Sequence, residues 1–457
     1  MVSFPTMSVT RARRIAFEVL RRVETAGAYA ADLLHARLGK PGEAAKREDA
    51  ALATEITLGV LRWQRLLDFF LARHLDTSLV HLDLEVLLAL RMGLYQMRFL
   101  TRIPTRAAVN ESVELVKWAR KSSAAGLVNA VLHRMVGEGS LEPQFSPNLP
   151  PAERLGISYS HPTWLVARWL EFFGEARTVA LLESNNRPPR ITCAVHDPRA
   201  EASLRQAGLS VEPGRLLCSA LAVRGRNPAQ TKAFRRGWVS IQDEASQLVA
   251  LLMDVRPGQS VLDLCAAPGG KTALLAKATG PGARVVAADL HRHRLRAMKM
   301  HLERVGATHV QRVALDATAA LPLAAQFDRI LVDVPCSGTG TLSRNPEIRW
   351  RLRPDDLADF HRRQVSLLAN ALGLLASGGR LVFSTCSLEP EENEHVVAEV
   401  LASHPEFCRA NGGPAVAPHL IEGIRFEDLV GSDGFLRTFP PDQHTDGFFA
   451  AVIGHKS

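Results

Sequence analysis

The chain has 457 residues, 46% hydrophobic and 22% charged, which is enough to bury more than one sizeable core and leaves room for two or three domains. Its longest apolar stretch free of Asp, Glu, Lys and Arg, Gln364 to Gly379, is shorter than the roughly 20 residues a membrane-spanning helix needs, so no spanning helix is expected. The net charge of +8 suits a polyanionic partner without requiring one. The N-terminus, MVSFPTMSVTRARR, lacks the charged start and apolar core of an export signal, so a cytoplasmic protein is expected. Six cysteines, at 193, 218, 265, 336, 386 and 408, form no CxxC pair and no zinc-like spacing with histidine. Neither a metal site nor a disulfide framework is expected.

Residues 9 to 136 read as helical throughout. Arg11 to Leu38 places Ile15, Val19, Leu20 and Val23 on one side and arginines among its polar positions. Leu52 to Leu75, Leu82 to Phe99, Ala107 to Trp118 and Gly126 to Met135 repeat the pattern, with Pro104 in a loop. An all-α bundle over 1–137 is expected. Its arginines are either a solvated face or a phosphate-contacting surface.

The polar, proline-rich stretch Glu138 to Pro151 reads as a linker. Ser160 to Gly174 follows as a helix with Ser160 as its cap and Trp164, Leu165, Trp169 and Phe172 on one face. Short alternating runs between Gly and Pro turns, Ile191 to Val195 and Leu221 to Arg224, predict a small α+β segment, so that 138–239 is a linker plus this segment. Its basic end carries Arg224, Arg226, Lys232, Arg235 and Arg236.

From about residue 240 strands and helices alternate. Val261 to Leu264, Arg284 to Ala288, His309 to Ala314, Arg329 to Val332 and Arg380 to Ser384 predict strands. Thr272 to Thr279, His291 to Val305, Pro354 to Leu375 and Glu391 to Ser403 predict helices. This is the pattern of a doubly wound parallel sheet over 240–457, with an antiparallel pair, Gly434 to Phe439 and Asp446 to Ile453, at its edge.

Ligands in such sheets sit at the carboxyl ends of the strands. The turn after the first strand, Cys265 to Lys271, strips side-chain bulk at Ala266, Ala267, Gly269 and Gly270 and is stiffened by Pro268. Asp289 closes the second strand, 19 residues beyond Gly270, where an acid accepts hydrogen bonds from ribose hydroxyls. The turn is neither G-x-G-x-x-G nor a P-loop, so a nucleoside without phosphate fits best, and S-adenosylmethionine is the common one. Asp316 ends the third strand, facing an adenine or capping a turn. Asp333 ends the fourth, placed for cofactor and target or to cap the loop.

Cys336, in DVPCSGTG, and Cys386, in STCSLEPEENE, should emerge side by side on this edge. A thiolate added at C6 of cytosine turns C5 into an enamine carbon able to attack a sulfonium methyl. A helix start or a cation such as Lys271 would favour that thiolate.

CAAPGGKT, DVPCSGTG with TLSRNPEIRW, and TCSLEPEEN resemble RNA 5-methylcytosine methyltransferases of the Sun (Fmu) type. VSIQDEASQLVA and DGFFAAVI extend the resemblance, and the front, with LRMGLYQMRFLTRIPTRAAVNESVELVK and LVNAVLHR, resembles the NusB fold. The resemblance implies a multidomain chain: an all-α NusB-like bundle, a small α+β middle segment, and a C-terminal α/β Rossmann-like methyltransferase sheet. It implies Cys386 as nucleophile, with Cys336 assisting breakdown of the adduct. Cys265, Ala266, Ala267, Pro268, Gly269, Gly270, Lys271, Asp289, Asp316 and Asp333 are implied to contact S-adenosylmethionine. Small-subunit ribosomal RNA is the implied partner, held by the bundle and the middle segment, and a monomer is expected. The alternatives are the same chemistry on tRNA or another RNA, and a non-catalytic RNA-binding module. Cys193, in RITCAVHD, and His133 depart from the usual family pattern at positions implied to contact RNA.

Overall fold

The computed structural model describes residues 9–39, 46–136 and 142–456. The chain forms two compact units, 1–188 with 342–351, and 189–341 with 352–457. The first is therefore larger than the expected 1–137 bundle, because the helices beyond the proline-rich stretch belong to it. Part of that stretch, 138–141, lies outside the described residues.

The helical unit comprises α1 (Arg11–Ala26), α2 (Ala30–Leu38), α3 (Arg47–Ala72), α4 (Leu84–Phe99), α5 (Thr105–Trp118), α6 (Ala125–Val136), α7 (Pro151–Ser158) and α8 (Thr163–Asn186). The expected helix from Arg11 to Leu38 is two helices. Gly27 ends α1 in the left-handed region at φ 62°, a conformation glycine adopts at little cost. Apolar stripes at helical spacing, among them Ile15, Val19, Leu20 and Val23, converge with Ile56, Val60, Leu67, Leu90 and Leu132 on one core. Ser160 is not the cap of the next helix. It has φ 57°, its Oγ accepts from the Arg65 amide at 2.9 Å, and α8 begins at Thr163 after Pro162. On that helix Leu165 and Trp169 are fully buried, whereas Phe172 is exposed.

The segment 342–351 enters the helical unit through Arg349, whose side chain is wholly buried. Its guanidinium donates to Ser160 O at 3.1 Å, Asn186 Oδ1 at 2.8 Å and Asn185 O at 3.2 Å. Burial, then the positive charge of Arg62, lowers its pKa to about 9. His161 beside it is held neutral, first by burial and then by the Arg349 charge. Its Nδ1 lies 2.7 Å from Tyr159 O and its Nε2 3.3 Å from Asn185 Nδ2, partners that suit the tautomer protonated at Nδ1.

The second unit opens with β1 (Ile191–Val195), α9 (Ala200–Gln206), β2 (Ser210–Pro213), β3 (Ala220–Arg224), α10 (Lys232–Arg235) and β4 (Val239–Ile241). The strands form an antiparallel sheet in the order β2-β3-β1-β4. Cys193 is filler in its small core, its thiol pushed up to about 12 by burial. The expected α+β segment is present, but it packs within the same compact unit as the sheet that follows. Glu244 makes part of that join. Its buried carboxylate accepts from the amides of Arg215, Leu216 and Leu217 at 2.8 to 3.0 Å.

Next come α11 (Glu244–Leu252), β5 (Val261–Asp263), α12 (Gly270–Thr279), β6 (Val285–Asp289), α13 (Arg292–Arg304), β7 (Gln311–Ala314) and β8 (Phe327–Asp333). Then follow α14 (Ile348–Arg351), which lies in the helical unit, α15 (Asp356–Leu372), β9 (Leu375–Thr385), α16 (Glu394–Ser403), β10 (Phe407–Arg409), β11 (Leu436–Thr438) and β12 (Phe448–His455). The sheet runs β10-β12-β9-β8-β5-β6-β7, with β5 to β9 parallel. It is mixed rather than purely parallel. β12 inserts antiparallel beside β9, and β10, which the sequence reading did not anticipate, pairs with β12 alongside β11.

Alternation of side chains explains why both faces are covered. Val261, Val285, Leu331, Val382 and Val452 enter one core, and their neighbours Leu262, Val286, Ile330, Phe383 and Ile453 the opposite one. Among the described residues no helix is long and apolar enough to cross a membrane.

Arg349→Met removes the donors of two buried acceptors, Ser160 O and Asn185 O, and of the half-buried Asn186 Oδ1, at about 1 to 3 kcal/mol for each buried acceptor left unpaired. The helical unit is expected to lose roughly 3 kcal/mol in urea unfolding followed by tryptophan fluorescence, and Arg349→Lys to recover only part of it. An unchanged midpoint for Arg349→Met would show that the buried guanidinium contributes nothing to stability.

Candidate active site

The parallel strands β5, β6, β7 and β8 end on one edge, and an open cleft of about 710 Å³, its mouth included, lies there. Leu264, Leu290, Leu315, Ala317, Phe360 and Leu367 line it with apolar surface; Cys265, Asp289, Arg294 and Asp316 add polar groups. Such a mix of apolar wall and a few directed polar atoms suits a small organic ligand.

The turn expected to cradle a cofactor is built as its composition suggests. Ala266 and Ala267 are buried, Pro268 is exposed, and Gly269 sits at φ 101° just before α12. A Cβ at Gly269 would lie 2.8 Å from Met298 Cγ, so position 269 needs glycine for both backbone and space. Gly270 begins the helix. The Ala266 amide donates to Ala288 O at 2.9 Å, tying the turn to the end of β6.

Asp289 is buried at that strand end. It accepts from the His291 amide at 3.0 Å and the Ala267 amide at 3.3 Å, and Arg294 Nη1 lies 3.1 Å from Oδ2. Arg294 also donates to Ala267 O at 2.7 Å, so one side chain braces both the turn and the acid. Asp316 is exposed and caps its own turn, accepting from Thr318 N at 2.9 Å and Thr318 Oγ1 at 2.6 Å, yet it also lines the cleft. Its two proposed roles are therefore compatible. Those Thr318 bonds hold its carboxyl below the ordinary range. Cys265 lines the cleft as a neutral thiol, its pKa raised by burial and then by the charges of Asp263, Asp333 and Asp289.

Lys271 does not serve the thiols directly. Its Nζ donates to Asp333 Oδ2 at 2.8 Å and lies 5.0 Å from the centre of the Phe448 ring. Asp333 Oδ1 accepts from Ser384 Oγ at 2.7 Å, across the register that pairs Asp333 of β8 with Ser384 of β9.

Beyond those paired residues the two cysteine loops leave neighbouring strands together. Cys336 Sγ and Cys386 Sγ lie 3.2 Å apart, and the Cys386 amide donates to Cys336 Sγ at 3.3 Å. Both thiols are free and partly buried. The hydrogen bond with Cys386, then burial, then negative charge on Cys386 raise the Cys336 pKa well above its ordinary range. Cys336 thus stays protonated and can donate to the neighbouring sulfur. Gly340 holds the loops together through its backbone, its amide donating to Cys386 O at 2.9 Å and its carbonyl accepting from Gly447 N at 2.8 Å. A Cβ at 340 would lie 2.1 Å from Gly447 O.

Several site residues escaped the sequence reading. Arg294, Phe360 and Arg363 lie on helices α13 and α15, where the sequence pattern marks them as ordinary surface positions. Asp263, the last residue of β5, had a visible signal in its place directly before the turn. Its Oδ2 accepts from Thr272 Oγ1 at 2.6 Å, while Oδ1 is buried without a partner among the described residues. Burial raises its pKa from 3.8 to about 7, opposed by the Thr272 bond and reinforced by the Asp333 charge.

A carboxyl whose folded pKa is raised binds more protons folded than unfolded between the two values, so its contribution to stability is lost as pH rises through that window. Asp263 should therefore weaken the fold progressively from about pH 4 to about pH 7. In urea unfolding at pH 4.5 and pH 7.5, Asp263→Asn is expected to gain on the wild type as pH rises. A pH-independent difference between the two proteins would mean that Asp263 ionises as an ordinary carboxyl.

Comparison with known proteins finds matches in two parts of the chain. Residues 250–454 match the family model described as 16S rRNA methyltransferase RsmB/F, and residues 10–137 match the NusB family. The chain is 35% identical to the Probable ribosomal RNA small subunit methyltransferase B of Bacillus subtilis (strain 168), over 98% of this chain and 100% of that protein. It is 36% identical to the Ribosomal RNA small subunit methyltransferase B of Pseudomonas putida, over 88% of this chain and 92% of that protein. Among solved structures it is similar to that described as "Crystal Structure of PH0851", with a TM-score of 0.82 and 26% identity over 99% of both chains. Matching at this identity over nearly the full length, together with the two thiols at the strand edge, places it: the chain belongs to the RsmB/F family of 16S rRNA methyltransferases and carries a NusB-family segment at its front.

Proposed function

We propose that this protein transfers a methyl group from S-adenosylmethionine to C5 of a cytosine in small-subunit ribosomal RNA, through a covalent bond between Cys386 and C6 of the base. The observation that carries the reading is the thiol pair 3.2 Å apart, one of its members next in sequence to Pro335, which lines the cleft. S-adenosylmethionine supplies an electrophilic methyl on its sulfonium. Asp289 and Asp316 would accept from its hydroxyls and base, and the apolar walls suit a flat ring. The turn from Cys265 to Lys271 brings backbone close to it, and Asp333, held by Lys271 and Ser384, reaches toward the base.

Cys386, as its thiolate, would add to C6 as the C5=C6 π bond opens; C5 would take the sulfonium methyl with S-adenosylhomocysteine as the leaving group; a base would then remove the C5 proton, and that electron pair would re-form C5=C6 as the S–C6 bond breaks and the Cys386 thiolate is released. Cys336, kept protonated, stabilises charge on Cys386 Sγ through its S–H and assists that last elimination. The target base must first leave any stack, which an exposed loop makes cheap.

The helical bundle and the segment up to residue 239 hold RNA in this reading. Arg224, Arg226, Lys232, Arg235 and Arg236 are all exposed on the middle segment and suited to phosphate. The NusB-family front favours ribosomal RNA over tRNA, and the place of action is the cytoplasm.

Labelled S-adenosylmethionine and small-subunit rRNA provide the test. Cys386→Ala is expected to lose turnover by at least about 10³-fold, whereas Cys336→Ala should accumulate a protein–RNA complex stable on denaturing gels. Full turnover by Cys386→Ala would remove the nucleophile from this mechanism. Label appearing on tRNA but not on rRNA would leave the chemistry and change the substrate.

A further inference from the structure

Each reactive thiol is followed by a serine, and one buried carboxylate holds both serines. Glu392 is fully buried. Its Oε2 accepts from the Ser337 amide at 2.8 Å and from Gln364 Nε2 of α15 at 3.0 Å, and its Oε1 accepts from Ser387 Oγ at 2.6 Å. The two serine hydroxyls lie 2.9 Å apart, and Ser387 Oγ also accepts from the Glu389 amide at 3.0 Å. Thr339 Oγ1 adds a second link between the loops by accepting from the Leu388 amide at 2.9 Å.

We propose that Glu392 is a positioning residue for the reaction. It ties the Cys336 loop to the Cys386 loop at the residue after each thiol and so sets the distance between the sulfurs. The loops leave separate strands, and the strand register ends at Asp333 and Ser384. Beyond it the thiols' separation rests on the Gly340 backbone bonds, the Cys386 amide and this carboxylate. Charge-assisted bonds to a buried carboxylate are the strongest of these, and a displacement of about 1 Å at a reacting atom can cost about 10²-fold in rate. Glu392 touches neither sulfur; it acts on the geometry of the two loops, and its charge adds to what keeps Cys336 protonated.

The inference rests on the two thiols having the roles given above, and Cys336→Ala run in parallel tests that separately. Glu392→Gln keeps the shape of the side chain but removes its charge and replaces one acceptor oxygen with a donor, which in one orientation opposes the Ser337 amide and Gln364 Nε2 and in the other takes away the acceptor of the Ser387 hydroxyl. Its kcat on rRNA is expected to fall about 30- to 100-fold, with the KM for S-adenosylmethionine and for RNA within about twofold of wild type. It should also accumulate part of the covalent complex that Cys336→Ala accumulates, a readout that simple loss of folded protein would not produce. Ser387→Ala, which removes one hydroxyl only, should show the same pattern with a smaller loss and carries the test if Glu392→Gln does not fold. Wild-type kcat and no trapped complex in the folded variant would overturn the proposal, as would a loss confined to KM. Absence of trapped complex in Cys336→Ala itself would instead refute the reading of the thiols.

Discussion

Parallel pairing of β8 with β9 is the constraint on which the active site depends. The register sets Asp333 opposite Ser384, and the Val334 amide donates to Ser384 O at 3.0 Å, carrying the pairing one residue past the end of β8. Two loops that are 50 residues apart in sequence therefore start from the same edge at nearly the same height. Gly340 can be only glycine because the backbone of Gly447 passes where a side chain would be, and this close approach brings the last strand of the sheet into the same cluster.

Charge in the site is arranged in pairs that leave the sulfurs free of direct ionic partners among the described residues. Lys271 is engaged by Asp333, and Arg294 by Asp289. Cys336 instead lies against the other thiol, whose hydrogen bond disfavours its ionisation. Two sulfurs at hydrogen-bond distance cannot both hold negative charge cheaply, so one acts as donor to the other. Asp263 behaves differently from the other strand-end acids. It is buried, without a cation in contact among the described residues, and burial raises its pKa to about 7.

The helical unit meets a comparable demand with neutral groups. Arg349 is wholly buried, and its guanidinium donates to carbonyl and amide oxygens. Five donors in a planar fork can reach acceptors on several segments at once, so one side chain anchors 342–351 among helices distant in sequence. Glu244 and Glu392 show the converse in the second unit, buried carboxylates satisfied by amides and hydroxyls. In each case a charge-assisted bond joins segments that hydrophobic contact alone would hold less specifically.

The helical front, the alternating strands and the position of each motif at a strand end were legible in the sequence, because periodicity and turn chemistry act over neighbouring residues. Val285 to Asp289 shows this well, a short apolar run closed by an acid that ends at the cleft. The break at Gly27, the strand β10 and the insertion of β12 beside β9 were not legible. A lone glycine and a three-residue strand carry too little local pattern, and pairing order depends on partners far along the chain. The same reason separates the thiols from their setting. Cys336 and Cys386 stood out from their motifs, but the commitment of Lys271 to Asp333, the grip of Glu392 on two serines and the burial of Arg349 in the helical unit were decided by tertiary structure alone. Buried polar atoms must find partners wherever the folded backbone presents them, and that geometry exists only once strand order and register are set.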